Sequence, residues 1–244
     1  MDFNQQAPLL GSPQKLILCS KSTGRAAILK AANIDFEVKY VSIVEEKQPG
    51  ETPIGLVRRL AYCKALPIAK KEAPCIAIGA DTIVIDDKQQ ILGKPQSRNQ
   101  AIEMLQGLSG VIHRVLTGIA LISYDNNDFR TVQGHSLTAV KLKKLRMSQI
   151  ASYVGNCASL DRAGGYAIQC GGEEIIAGIE GCWANVVGLP FGLLGALYFA
   201  QTGRSLLERI SKESSNSPAD ICIRECFSAA GYSSLADCPF SNIP

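Results

Sequence analysis

Three groups of residues in this chain have types and spacing suited to chemistry: acids set against apolar runs, cations beside loops, and hydroxyls before a helix. The first group centres on Asp81. It lies in Ile76-Ala77-Ile78-Gly79-Ala80-Asp81-Thr82-Ile83-Val84-Ile85, where eight of ten residues are apolar or Gly. Such a run reads as a buried strand of an α/β protein. A carboxylate desolvated there costs several kcal/mol unless a metal, a cation or a set of donors meets it. Asp81 is therefore either a centre of chemistry or a structural acid capping a turn between strands. The stretch alone does not decide.

The hydroxyl group is Ser20-Lys21-Ser22-Thr23-Gly24-Arg25, between apolar Leu16 to Cys19 and helix-forming Ala26 to Ala32. A strand, a small hydroxyl-rich loop and a helix start form a construction for gripping phosphate, because free backbone N–H groups and the helix dipole both favour an anion. Lys21 and Arg25 add countercharge. The spacing G-x-x-x-x-G-K-[ST] is absent, so this is not a Walker loop. By itself the stretch also suits an ordinary N-cap by Ser22 or Thr23. Lys64 falls among Leu56, Val57, Leu60, Ala61 and Ala65 on one helical face, where a lysine either snorkels to solvent or points into a cleft. Gln169 follows the glycine-rich Ala163-Gly164-Gly165-Tyr166 and offers the donor and acceptor that reading a base edge requires, or is simply a surface glutamine. With Glu46 and Lys94, the inventory is two acids after strands, three cations beside loops and a hydroxyl-rich helix start. That set suits phosphoryl chemistry, in which positioning and charge neutralisation dominate.

The elements that must hold these residues follow from periodicity and punctuation. Phe36 to Val44 reads as a strand. Thr52 as N-cap and Pro53 at the first position open a helix to about Lys71. After the Asp81 strand, Asp86-Asp87 makes a hairpin turn into Ile91 and Leu92. Ser97 to Gln100 fits a capping box for a helix through Leu105, closed by Gly107. His113 to Ser123 and Thr131 to Leu142 form an antiparallel pair. Ser148 caps a short helix to Gly155. Ile175 to Ile179 and Trp183 to Val187 read as strands, and Pro190 opens a helix ending near Gly203. Residues 211–218 are a polar linker, followed by a short amphipathic turn around Ile221 to Phe227.

With 244 residues, 46% hydrophobic and 19% charged, the chain suits one large soluble α/β domain or two lobes around a cleft. A net charge of +3 argues for neither nucleic acid nor a membrane surface. Met1 to Gly11 lacks a signal-peptide pattern, and Val186 to Ala200 is too short and too broken by Pro and Gly to span a bilayer. The nine cysteines are an odd number without a CxxC pair. Cys19, Cys75, Cys170 and Cys182 read as small core residues of a reducing, cytoplasmic protein. Zinc at Cys222, Cys226 and Cys238 lacks a fourth ligand at recognised spacing.

Several motifs in order now resemble a known family. These are Leu18-Cys19-Ser20-x-Ser22-x-x-Arg25, Gly79-Ala80-Asp81-Thr82-Ile83-Val84, Gly93-Lys94-Pro95, Leu108-Ser109-Gly110 with His113 and Thr117-Gly118, Ala163-Gly164-Gly165-Tyr166-x-Ile168-Gln169, and Asn185-Val186-Val187-Gly188-Leu189-Pro190. Together they resemble the Maf family of nucleotide pyrophosphatases, the septum-formation-inhibitor-like proteins. The resemblance implies an inosine-triphosphatase-like α/β fold, with a long mixed β-sheet flanked by helices and two lobes around a cleft. It implies a domain over 15–210, with 1–14 a flexible arm and 211–244 a linker and extension, and a homodimer. It also implies hydrolysis of nucleoside triphosphates to monophosphate and pyrophosphate with Mg²⁺ or Mn²⁺. By position, Asp81 matches the proton acceptor, Glu46 and Asp81 the metal acids, and Arg25, Lys64 and Lys94 the triphosphate cations. Ser20 and Ser22 match the phosphate loop, while Gly24, Thr82, His113 and Gln169 fall in the substrate-binding motifs. Asp-Thr with Ile-Gln resembles the subgroup that prefers dTTP and UTP. The chain departs from the family's Ser-x-Ser-Pro-Arg-Arg, with Thr23 for the proline and Gly24 for the first arginine. A non-catalytic nucleotide-binding regulator, acting in septum formation or cell division, is the competing class; a dinucleotide-binding protein is excluded by the missing G-x-G-x-x-G.

Overall fold

The computed structural model of the chain describes residues 14–206 apart from 126, 127 and 158. The expected arm up to residue 13, the polar linker, the turn at 221–227 and the cysteines at 222, 226 and 238 lie outside the described residues. The elements are β1 (Lys15–Leu18), α1 (Thr23–Ala31), β2 (Glu37–Val38), α2 (Pro53–Lys71), β3 (Cys75–Ile85), β4 (Ile91–Leu92), α3 (Arg98–Leu108), β5 (Ile112–Asp125), β6 (Asp128–Leu142), α4 (Met147–Asn156), α5 (Gly172–Ile175), β7 (Ile176–Glu180), α6 (Trp183–Val187) and α7 (Phe191–Thr202). The strands make one mixed sheet in the order β2-β1-β3-β5-β6-β7, with β4 paired to β3. β1 runs parallel to β2 and β3; the remaining pairs are antiparallel. This is the long mixed sheet flanked by helices that the resemblance implies.

The alternation of β3 explains how the sheet positions the site. Its odd residues face α2: Cys75 and Ala77 pack with Ala65, Ile68 and Ala69, and Ile83 and Ile85 pack with Leu56, Val57 and Leu60. Its even residues serve two other cores. Ile76, Ile78 and Ala80 join Leu29, Phe191 and Leu194 of α1 and α7. Val84 joins Ala101, Leu105 and Ile150 of α3 and α4. Thr82, between them, belongs to neither core. It is the one position of β3 that is not fully buried.

α2 lies unusually close to the sheet because two facing strand positions are glycine. A Cβ at Gly79 would stand 1.9 Å from the Ala61 carbonyl oxygen, and one at Gly118 would stand 2.6 Å from the Val57 carbonyl. Gly118 is directly opposite Asp81 in the β3–β5 register. The missing side chains bring the helix backbone, and Lys64 with it, down onto the strand that bears the acid.

Five expectations change. Phe36 to Val44 yields only the two-residue β2, and the chain from Lys39 to Glu51 is irregular. Trp183 to Val187 is helical despite its β-branched pair, because the Asn185 carboxamide is held inside by the Val115 carbonyl and Thr138, and left-handed Gly188 (φ 111°) closes the turn. α3 runs past Gly107 to Leu108, and the Gln100 side chain takes the Gln96 N–H rather than that of the N-cap Ser97. Arg146, not Ser148, stands before α4. Cys170 is bonded to Cys157 rather than free, so the argument from small core thiols keeps only Cys19, Cys75 and Cys182. Helix α2, the β5–β6 pair and α7 lie where the sequence places them, and among the described residues no helix is long and apolar enough to cross a membrane.

Candidate active site

A cleft of about 760 Å³ opens between the start of α1, the irregular chain after β2, α2, β3 and the segment from Asp161 to Gln169. Ser20, Ser22, Arg25, Lys64, Asp81, Thr82, Lys94 and Gln169 all line it. The structure thus brings together residues spread over 150 positions, because β1, β3 and the glycine-rich segment meet at one end of the sheet.

At its centre Asp81 is 6% exposed. Lys64 Nζ reaches across from α2 to Asp81 Oδ1 at 2.5 Å and to Glu45 Oε1 at 2.7 Å. Burial pushes the Asp81 carboxyl above its ordinary range, against the opposing charges of Lys64 and Arg25. Although burial also works to raise Glu45, the hydrogen bond and charge of Lys64 hold that carboxyl below its usual value. A raised and a lowered carboxyl sharing one ammonium are the kind of separation that lets two acids take different roles. Two carboxylates converging on a point already held by a cation also supply hard oxygen donors, a set that suits Mg²⁺ or Mn²⁺ once substrate oxygens complete it. Among the described residues no group of three His, Cys, Asp or Glu gathers to hold a metal without such help.

The acid in this pair is Glu45, one residue before the expected Glu46. Glu46 is exposed and does not line the cleft; its carbonyl oxygen accepts from Arg59 Nη2 at 2.9 Å. Two adjacent acids in an irregular segment point in different directions, and spacing alone does not say which turns inward.

Arg25 is buried, and three of its five guanidinium N–H groups, one on each nitrogen, are bonded to protein. Nε donates to the Gly188 carbonyl at 2.8 Å, Nη1 to Ser20 Oγ at 3.0 Å and Nη2 to Thr82 Oγ1 at 3.0 Å. The chain of donors continues inward. Thr117 gives its single hydroxyl proton to the Asn185 carbonyl at 3.2 Å, so Thr82 must be the donor in its 2.9 Å contact with Thr117. Thr82, which the resemblance places in a substrate-binding motif, therefore has its proton committed to the interior, and its oxygen accepts from Arg25.

The start of α1 has the expected form. Ser22 caps it by accepting the Arg25 N–H at 3.3 Å, and Ser20 Oγ accepts the Ser22 N–H at 3.1 Å. No acid occupies the first turn, which leaves the helix dipole open to a bound anion. Gly24 lies beneath Gln169: a Cβ there would be 2.9 Å from Gln169 Nε2 and 3.0 Å from Val187 Cγ1. The glycine allows the carboxamide to rest against the helix backbone. Lys94 reaches Asp161 at 3.2 Å in an exposed pair.

His113 is not in the cleft. It is 1% exposed, contacts Tyr166 OH through Nε2 at 2.6 Å, and its pKa is pulled down to about 4 by burial. Its place is behind the glycine-rich segment, which is fixed at four points: Gly164 N–H to the Gly93 carbonyl, Tyr166 to His113, Ala167 to Tyr153 of α4, and Cys170 to Cys157. Gln169 rides on that anchored segment.

The cleft thus joins a buried acid, a lysine clamp and an anion-ready helix start at one end of a mixed α/β sheet. Residues 15–198 match the model of the Maf-like protein family, and the chain belongs to that family. It is 42% identical over 203 residues to the dTTP/UTP pyrophosphatase of Acetivibrio thermocellus, an overlap of 80% of this chain and 99% of the relative. With the dTTP/UTP pyrophosphatase of Thermoanaerobacter sp. it shares 43% over 182 residues, 74% of this chain and 93% of the other. With that of Citrifermentans bemidjiense it shares 42% over 175 residues, 72% and 89%.

Proposed function

We propose that this protein hydrolyses nucleoside triphosphates, dTTP and UTP or modified relatives of them, to the monophosphate and pyrophosphate, and so cleans the nucleotide pool. The observation that carries the reading is Asp81, buried yet facing a cation-lined cleft, in a chain 42% identical to a dTTP/UTP pyrophosphatase. In this reading Asp81 takes a proton from the water that attacks the α-phosphorus; the α–β anhydride bond breaks and pyrophosphate leaves. The raised pKa set by burial makes the carboxylate a stronger base than a free aspartate. Lys64 holds Asp81 in place, and its charge opposes the rise that burial causes. The amides at the start of α1, with Lys94, take phosphate oxygens. Gln169 presents its carboxamide to the base beside Gly24. Asp81 and Glu45 are the residues that would hold a divalent ion, which when bound supplies charge neutralisation at the phosphate oxygens. Homodimer formation, on the resemblance alone, and a cytoplasmic setting, on the cysteine pattern, are part of the same reading.

The test is a panel of UTP, dTTP, 7-methyl-GTP and ITP with Mg²⁺ or Mn²⁺, scored for pyrophosphate against orthophosphate. Pyrophosphate from UTP and dTTP is the expected product. Orthophosphate alone, or no release from any nucleotide, overturns the reading.

A further inference from the structure

The cleft is lined by six cations and three carboxylates, and their pairing is uneven. Lys64 is held between Asp81 and Glu45, and Lys94 by Asp161. Lys21 sits 4.5 Å over the Tyr40 ring. Arg25, which the family pattern would assign to the triphosphate, already spends one N–H of each guanidinium nitrogen on Gly188, Ser20 and Thr82 inside the protein. Lys47 is exposed on the irregular segment. Arg162 remains: half-buried, lining the cleft, and without an acid or a carbonyl on its side chain among the described residues.

Its backbone, by contrast, is firmly placed. The Arg162 N–H donates to the Ser159 carbonyl at 3.3 Å, and its carbonyl accepts the Gly165 N–H at 3.0 Å. Gly164 and Gly165 then take left-handed conformations, φ 70° and 76°, against Val84 and Ala101. The charge of Arg162 reaches Arg25, where it adds to the lowering that burial causes. A partly desolvated guanidinium facing another cation on a fixed backbone is unfavourable by itself and becomes favourable when an anion enters between them.

We propose that Arg162 is a substrate-binding residue, the arginine that contacts the phosphate chain in place of the internally committed Arg25. Its planar fork suits the paired oxygens of a polyphosphate. The proposal deepens the hydrolytic reading and rests on it. Arg25 then has a positioning role: it ties the α1 start to Thr82 and Gly188.

The experiment compares wild type, Arg162→Ala and Arg162→Lys in full-length protein by steady-state pyrophosphate release, by calorimetric titration with inorganic tripolyphosphate, and by thermal melting. For Arg162→Ala, KM and the tripolyphosphate Kd should rise about 10- to 100-fold, kcat should change far less, and the melting midpoint should stay at its wild-type value. Arg162→Lys should recover part of the loss. Wild-type KM and tripolyphosphate affinity within twofold in Arg162→Ala overturn the proposal, as does a lowered melting midpoint with unchanged affinity. If wild type releases no pyrophosphate, the hydrolytic reading falls, while the tripolyphosphate comparison still decides the role of Arg162.

Discussion

The two walls of the cleft are built on opposite plans. One is the β3–α2 wall, where Asp81 and Lys64 stand on regular elements pressed together across Gly79 and Gly118. The other is the segment from Asp161 to Gln169, which has little regular structure but is fixed at four points by α4, His113, Gly93 and a disulfide. In the first wall Asp81 and Lys64 are paired with each other and Lys64 with Glu45; in the second, Arg162 and Gln169 line the cleft with no side-chain partner among the described residues. On the proposed reading, the difference separates two tasks. Atoms that move a proton must be held within narrow limits by close packing, whereas groups that receive a substrate need a fixed backbone and open valences.

The largest effect that bears on this contrast is expected at the packed wall. Asp81→Asn should lower kcat by about 10²- to 10⁴-fold with KM near its wild-type value in a pyrophosphate-release assay; wild-type turnover would remove Asp81 from the chemistry. Next is the packing itself. Gly79→Ala places a methyl 1.9 Å from the Ala61 carbonyl oxygen, and should cost about 3 kcal/mol or more in urea unfolding. A cost under about 1 kcal/mol would show that α2 can shift without harm, and the contrast between the walls would weaken.

The support behind the open wall titrates. His113 has a folded pKa near 4 against an ordinary 6.5, so between these values the unfolded chain binds a proton that the folded chain does not. Stability is therefore fully present above about pH 6.5 and is lost as pH falls toward 4, by roughly 3 kcal/mol in all. His113→Gln, which keeps a hydrogen-bonding group near Tyr166, should flatten this part of the stability–pH curve. An unchanged slope in that variant would assign the loss to other groups.

Much of the packed wall is legible in the sequence. The apolar run around Asp81, the Thr52-Pro53 start of α2 and the face carrying Lys64 are local patterns, and local patterns set regular elements. The open wall is less legible because its features depend on distant contacts. Nothing near Arg25 says that Gly188, 163 residues away, will occupy its Nε. The same holds for the Cys157–Cys170 bond, for His113 turning away from the cleft, and for the inward turn of Glu45 rather than Glu46. Trp183 to Val187 is misread for a related reason: two valines carry a strand preference, but the Asn185 carboxamide needs interior partners that only the helical turn supplies.

The position of β3 in the sheet has a further consequence, for how lesions elsewhere act in a cell. β3 is hydrogen-bonded to β1 on one side and to β5 along its whole length on the other, so it belongs to the part of the molecule that opens only when the whole fold opens. A substitution in a remote core therefore leaves Asp81 correctly placed in every molecule that remains folded. Such changes reduce how much enzyme escapes degradation, and the turnover of each surviving molecule stays the same.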